Sequence, residues 1–186
     1  MITEVEVSAL DGSQGKNPFT LLVTLQPDRV QSQPGRGTLN IPATKGRPAL
    51  ASNFRVVVDG VDLSRVTKVD SFSIKQKVTQ SSVGELRRFE PEQGIPEYDD
   101  LVLTMPEAYA TSLDSWFQES VIRGSAKERD GRIEILDATL KAVLFTINLR
   151  GVGIWKMEMG EQVANTDRAS NVIARFYVET ATLEMK

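Results

Sequence analysis

From Asn53 onward, apolar residues recur at every second position through most of the chain, and the rhythm breaks once. Phe54, Val56 and Val58 alternate with Arg55, Val57 and Asp59 before an Asp59-Gly60 turn signal. Phe72, Ile74 and Val78 then stand opposite Ser71, Ser73, Lys75 and Lys77, and Leu101, Leu103 and Met105 repeat the pattern. Successive side chains on an extended strand point to opposite faces, so this period dictates strands with one buried and one wet face. Further strands follow at Ile133 and Ile135, at Val143, Phe145, Ile147 and Leu149, and at Ile154 to Met159, where Trp155, Met157 and Met159 share a face. A short turn around Asp137-Ala138-Thr139 and a polar loop from Gly160 to Ser170 separate them. The last segment, Asn171 to Met185, alternates weakly and is partly apolar on both faces, as in a strand covered on two sides or an interface.

The break falls at Tyr109, Leu113, Trp116, Phe117 and Val121, which share one stripe of a helix. Thr104 and Glu107 have the spacing of a capping box, and Gly124 stands where a left-handed C-terminal cap belongs. Two or three strands, one helix and a run of four strands make an α+β, mainly β domain, a barrel or sandwich with one packed helix. Residues 51–186 form this domain.

Residues 1–50 read differently. Pro18, Pro27, Pro34, Pro42 and Pro48 punctuate them; Ile2–Leu10 and Phe19–Gln26 have the look of short strands, and Pro27–Leu50 reads as a loop or extended arm. This N-terminal extension is expected to order against a neighbouring subunit. A second irregular stretch, Thr79 to Tyr98, is broken by Gly84, Pro91, Gly94 and Pro96 and reads as a long polar loop, a length that points to a binding role.

The chain has no cysteine and no histidine. Disulfides, thiolate nucleophiles, the usual zinc sites and the commonest general base are therefore excluded. Glu90, Glu92, Glu97, Asp99 and Asp100 cluster in one polar stretch with no framework to tune a catalytic pair, and read as solvated charge. Gly12 to Lys16 lacks the spacing of a phosphate loop. No catalytic, cofactor-binding or metal-ligating residue is expected, and the chain is not read as an enzyme. A net charge of −3 gives no basic footprint for sequence-specific nucleic-acid binding. No apolar run is long enough to cross a bilayer, and the acidic, alternating start lacks the character of a secretory signal, so the chain is expected to be made and kept in the cytoplasm until something larger forms. Arg87, Arg88, Phe89, Glu90 and Glu92 are the candidate inter-subunit loop, its arginines pairing with a neighbour's acids.

Asn53 to Val61 followed by Val69 to Ile74 resembles the opening of contractile phage tail-tube proteins, in which an F-x-V-x-V-D/E-G strand runs into a second alternating strand. Leu101 to Thr104, the helix with Leu113 to Phe117, and Arg129-Asp130-Gly131-Arg132-Ile133-Glu134-Ile135-Leu136-Asp137 continue the resemblance in order, and Ala174 to Leu183 is similar to the closing strand. Residues 1–50 are additional to that pattern, and Gly153-Ile154-Trp155-Lys156 stands where a Trp-Pro is common. The resemblance implies a tail-tube-like subunit that forms stacked hexameric rings around a lumen for DNA or protein cargo, within a virion tail or phage-tail-like particle. Sheath and baseplate proteins are the implied partners. A tube-initiator or baseplate-end paralogue of the same fold is the alternative, and a free secreted ring-forming or binding module a second one.

Overall fold

The computed structural model describes residues 1–27, 30–35, 37, 49–83, 88–125, 127–160 and 170–185; within 79–83 and 88–93 only the backbone is considered. The strands are β1 Ile2–Val7, β2 Leu10–Asp11, β3 Leu21–Leu25, β4 Phe54–Val58, β5 Lys68–Val69, β6 Phe72–Val83, β7 Arg88–Tyr98, β8 Leu101–Pro106, β9 Arg129–Leu136, β10 Val143–Met159 and β11 Asn171–Met185. They form a four-stranded sheet in the order β3-β1-β6-β7 and a seven-stranded sheet in the order β2-β5-β8-β11-β10-β9-β4. All pairings are antiparallel.

The alternating residues do what their spacing dictates. Val56, Val58, Phe72, Leu101, Leu103, Met105, Ile133, Ile135, Phe145, Ile147, Leu149, Val172, Ala174 and Phe176 face one shared core. The chain passes between sheets at three short corners, from β1 to β2, from β5 to β6 and from β7 to β8, so the layers are stitched covalently. The first 25 residues, expected as part of an arm, are built into both sheets. β1 lies between β3 and β6, pairing Val5 with Val23 and with Ile74, and Val7 and Leu10 are fully buried.

The helical stripe folds as three short pieces, a 3-10 turn Glu107–Tyr109, the helix α1 Thr111–Phe117 and a π turn Gln118–Ile122. Leu113 and Trp116 are buried, whereas Tyr109 and Val121, expected on the same stripe, are exposed because each lies outside α1. The capping box does not form: Thr104 is held in β8, and Ala110 caps α1 without a side-chain bond. Gly124 does take the left-handed conformation, at φ 68°.

Two further expectations change. Val143–Leu149 and Ile154–Met159 are one 17-residue strand, because Gly151 at φ 61° and the register shifts around it bend the strand without ending it. The polar loop Thr79–Tyr98 is a β-hairpin, with Thr79 opposite Glu92, Ser81 opposite Glu90 and Val83 opposite Arg88. Its residues are polar on both faces, so period two carries no hydrophobic signal there, and Pro91 and Pro96 are tolerated because β7 is an edge strand. Of the loop expected at 160–170, residues 161–169 lie outside the described residues, as do 28, 29, 36 and 38–48 of the Pro/Gly-rich stretch.

Candidate assembly surfaces

The polar side chains that converge are occupied in joining strands. Asp99 follows β7 and accepts a hydrogen bond from the Ser73 hydroxyl; Lys75 Nζ lies 3.1 Å from its Oδ1 and 3.9 Å from Glu4 Oε1. The Ser73 hydroxyl bond holds the Asp99 carboxyl below its usual range; burial opposes this, and Lys75 reinforces it. The same contacts, the Asp99 hydrogen bond first, raise Lys75. Lys77 pairs with Glu97 beside them. Glu4, Glu6, Glu97 and Asp99 thus outnumber Lys75 and Lys77, leaving this part of the four-stranded sheet with an acidic excess and no stripe for gripping a polyanion.

On the seven-stranded sheet, Glu134 sits between two guanidinium groups. Arg55 Nε donates to Oε2 at 2.7 Å and Arg132 Nε to Oε1 at 2.8 Å. Its side chain is 8% exposed. Burial pushes the carboxyl up, but hydrogen bonds from Arg132 and Arg55 and their charges outweigh it, and the net shift is downward. Trp116 stacks on Phe176 with ring centroids 5.5 Å apart, carries the Arg129 guanidinium 5.1 Å from its ring, and donates its Nε1–H to the Lys127 carbonyl at 3.2 Å. Tyr177 lies across Gly153, where any Cβ would collide with its ring, and its hydroxyl meets Glu128 Oε1 at 2.9 Å. Among the described residues no group of three His, Cys, Asp or Glu stands close enough to hold a metal ion. No described helix is long and apolar enough to cross a membrane.

Of the residues expected in an inter-subunit loop, Arg88, Phe89, Glu90 and Glu92 lie on β7, opposite Val83, Ser82, Ser81 and Thr79 of β6; Arg87 lies outside the described residues. The sheet edges differ sharply from one another. At β3, Leu22 and Leu25 are 62% and 63% exposed, and Val23 and the neighbouring Ile2 are exposed as well. This apolar edge was legible only as a strand; nothing in its own alternation marks it as outermost.

No family profile matches the chain, and no curated protein matches it. Solved structures do. A chain of the anti-feeding prophage (AFP) baseplate, solved by cryo-EM with six-fold symmetry applied, superposes with a TM-score of 0.55 at 17% identity, over 79% of this chain and 98% of that one. The chain has the tail-tube-like fold. A chain of the sheath-tube complex of PVC, an extracellular contractile injection system, matches with a TM-score of 0.58 at 14% identity, over 71% of this chain and 89% of that one. A chain of the PVC sheath/tube terminator matches with a TM-score of 0.61 at 14% identity, over 76% and 99% respectively. The tail-tube-like fold here thus spans nearly the whole of two of these neighbours and carries additional residues of its own.

Proposed function

We propose that the chain is a structural subunit of a phage-tail-like inner tube, assembling as stacked hexameric rings around a lumen, with sheath and baseplate proteins as partners. The observation that carries this reading is the likeness over 98% of a chain from a six-fold symmetrised AFP baseplate. The chemistry of the surface agrees with it. The clustered acids and bases serve as strand clamps, and the acidic excess on the four-stranded sheet suits a wall past which DNA or protein cargo slides without being gripped. The β6–β7 hairpin, with Arg88, Phe89, Glu90 and Glu92 on β7 and Arg87 next to them in the sequence, is the element that reaches a neighbouring subunit. Assembly takes place in the bacterial cytoplasm.

Mass photometry and negative-stain imaging of the purified chain test this. Six-membered rings or tubes are the expected result. Monomers or dimers alone, at micromolar concentration across salt conditions, would overturn it.

A tube-end paralogue is the second reading. It is favoured by the near-complete match to chains of a baseplate and a tube terminator. Rings that bind one end of a preformed tube without extending it would select this reading over the first.

A further inference from the structure

The turn between β9 and β10 holds a leucine in a conformation that leucine avoids. Leu140 has φ 59°, and among the described residues it is the only non-glycine residue with a positive φ. In that region Cβ crowds the following carbonyl oxygen, so glycine or asparagine fits more readily. The conformation is imposed by Asp137. Its N–H donates to Ala142 O at 2.9 Å, and its carbonyl accepts from the Leu140 N–H at 3.0 Å. Its Oδ1 accepts from the Thr139 hydroxyl at 2.9 Å and from the Lys141 and Ala142 N–H groups at 3.0 and 3.1 Å. The side chain held in this way is not buried. Leu140 is 57% exposed, at a 260 Å³ hollow that it borders with Phe54, Arg55, Leu63, Val66 and Leu136. A disfavoured backbone that gains so little burial for its own chain points to a use outside it.

The charge around the hollow narrows what it takes. Arg55 is half exposed at its border, and Lys141 and Arg65 are exposed next to Leu140 and Val66 in the chain. The acids nearby are already engaged: Glu134 by Arg55 and Arg132, Asp137 by its own turn, and Asp62 by the Ser64 N–H at 3.0 Å. An apolar hollow with a cationic rim suits an apolar residue flanked by acids. The chain carries one such segment on an element that lacks support of its own. β1 pairs with β6 only from Phe72 to Lys75, so from Gln76 onward the β6–β7 hairpin is a ribbon with no third described strand beside it. A two-stranded ribbon is marginal in water by itself, and at roughly 3.3 Å per residue this one runs about 25 Å. Its second strand contains Phe89-Glu90-Pro91-Glu92.

We infer that Leu140 is an inter-subunit anchor: the hollow it borders receives the Phe89–Glu92 segment of a neighbouring copy, Phe89 supplying the apolar contact and Glu90 and Glu92 meeting the cationic rim. This rests on the reading of the chain as a tube subunit and names the surface that its hairpin reaches. The contact also accounts for a leucine at a position better suited to asparagine. Each free subunit carries the disfavoured backbone, and the side chain is buried only when the neighbour arrives. Small, rigid apolar anchors of this kind, ringed by polar groups, carry most of the binding energy at protein interfaces.

Thermal unfolding and mass photometry of full-length Leu140→Asn and Leu140→Gly separate assembly from folding. Below the assembly concentration both variants are expected to melt no lower than the parent, because asparagine and glycine accept a positive φ. The concentration for half assembly is expected to rise by about tenfold or more. Lys141→Glu is expected to raise it as well, and Glu90→Lys in the same chain to bring it back. Because the chain has no cysteine, Leu140→Cys and Phe89→Cys each introduce a single thiol. Mixed, assembled and oxidised, the two are expected to crosslink, and neither does so alone. Variants at residue 140 that both melt below the parent would show that the leucine serves its own chain, and would overturn the inference. So would variants that assemble at the parent's concentration, or a mixture that stays uncrosslinked. A parent that forms no rings or tubes removes the tube reading and this inference with it; tubes indifferent to residue 140 remove the inference alone.

Discussion

Trp116 anchors the only α-helix among the described residues, and its replacement by alanine measures how much of the fold rests on that anchor. α1 buries two side chains, Leu113 and Trp116, so the substitution removes the larger of its two attachments. Trp116 is 1% exposed, and its ring is shared between Phe176 and the Arg129 guanidinium. Truncating a buried tryptophan costs about 3–5 kcal/mol, most of it transfer free energy and the cavity left behind. The Lys127 carbonyl adds little because Lys127 is exposed and water replaces the lost donor. Domains are stable by roughly 5–15 kcal/mol, so Trp116→Ala removes a large share. With a urea dependence near 2 kcal/mol per molar, the unfolding midpoint falls by about 1.5–2.5 M. Far-UV circular dichroism is the readout, since Trp155 is a second, exposed fluorophore. Trp116→Phe keeps most of the volume and loses the N–H, and is expected to cost about 1–2 kcal/mol. A Trp116→Ala midpoint within about 0.4 M of the parent would refute the packing argument.

Glu134→Gln is expected to cost about 1–2 kcal/mol at pH 7, because both flanking arginines are half exposed. Since the folded-state pKa of Glu134 lies below the usual range, its ionic contribution is complete above about pH 4.3 and disappears as pH falls through the folded value. Urea unfolding of parent and variant should therefore converge in acid, and a gap independent of pH would exclude the ion network as its source. Replacing residues 79–93 with a tight Asn-Gly turn is expected to leave the monomer's melting transition in place while weakening ring or stack formation in mass photometry; normal assembly would show the hairpin tip is dispensable. A chain beginning at Ser52 loses Val7 and Leu10 from the core along with three strands, and is expected to aggregate or bind hydrophobic dye. A soluble, cooperatively melting product would show that the first strands are peripheral.

Where a strand has one wet and one buried face, the sequence makes it readable, as at Phe54–Val58 and Leu101–Met105. The hairpin through Thr79–Tyr98 was hidden because neither of its faces is systematically apolar, and its prolines mimic a loop while sitting at a sheet edge where they cost little. The helix was readable from Leu113 and Trp116, but its length was not. Pro106 closes β8 just before the 3-10 turn, and the chain leaves helical geometry through a π turn that no spacing announces. The rim of the four-stranded sheet was the least legible part. Five apolar-leaning residues at Leu21–Leu25 look the same whether a strand lies in the middle of a sheet or at its rim, and only the pairing of β1 with both β3 and β6 decides it.

The position of β11 sets the order in which this molecule is completed. It is the middle strand of the seven, flanked by β8 and β10, and is made after both. Until Asn171–Met185 has been synthesised, the larger sheet exists as two three-stranded fragments, β2-β5-β8 and β10-β9-β4, each with a raw edge facing the gap. Translation at about 5–20 residues per second separates the making of β8 from that of β11 by roughly 3–14 s, long compared with the micro- to millisecond closure of the local hairpins. The nascent subunit thus spends seconds with complementary edges exposed on a crowded ribosome, and neighbouring chains of the same sequence carry the same two halves. Kinetic protection of those edges, by a chaperone or by sparse spacing of ribosomes, bears on yield as directly as does the stability of the finished fold.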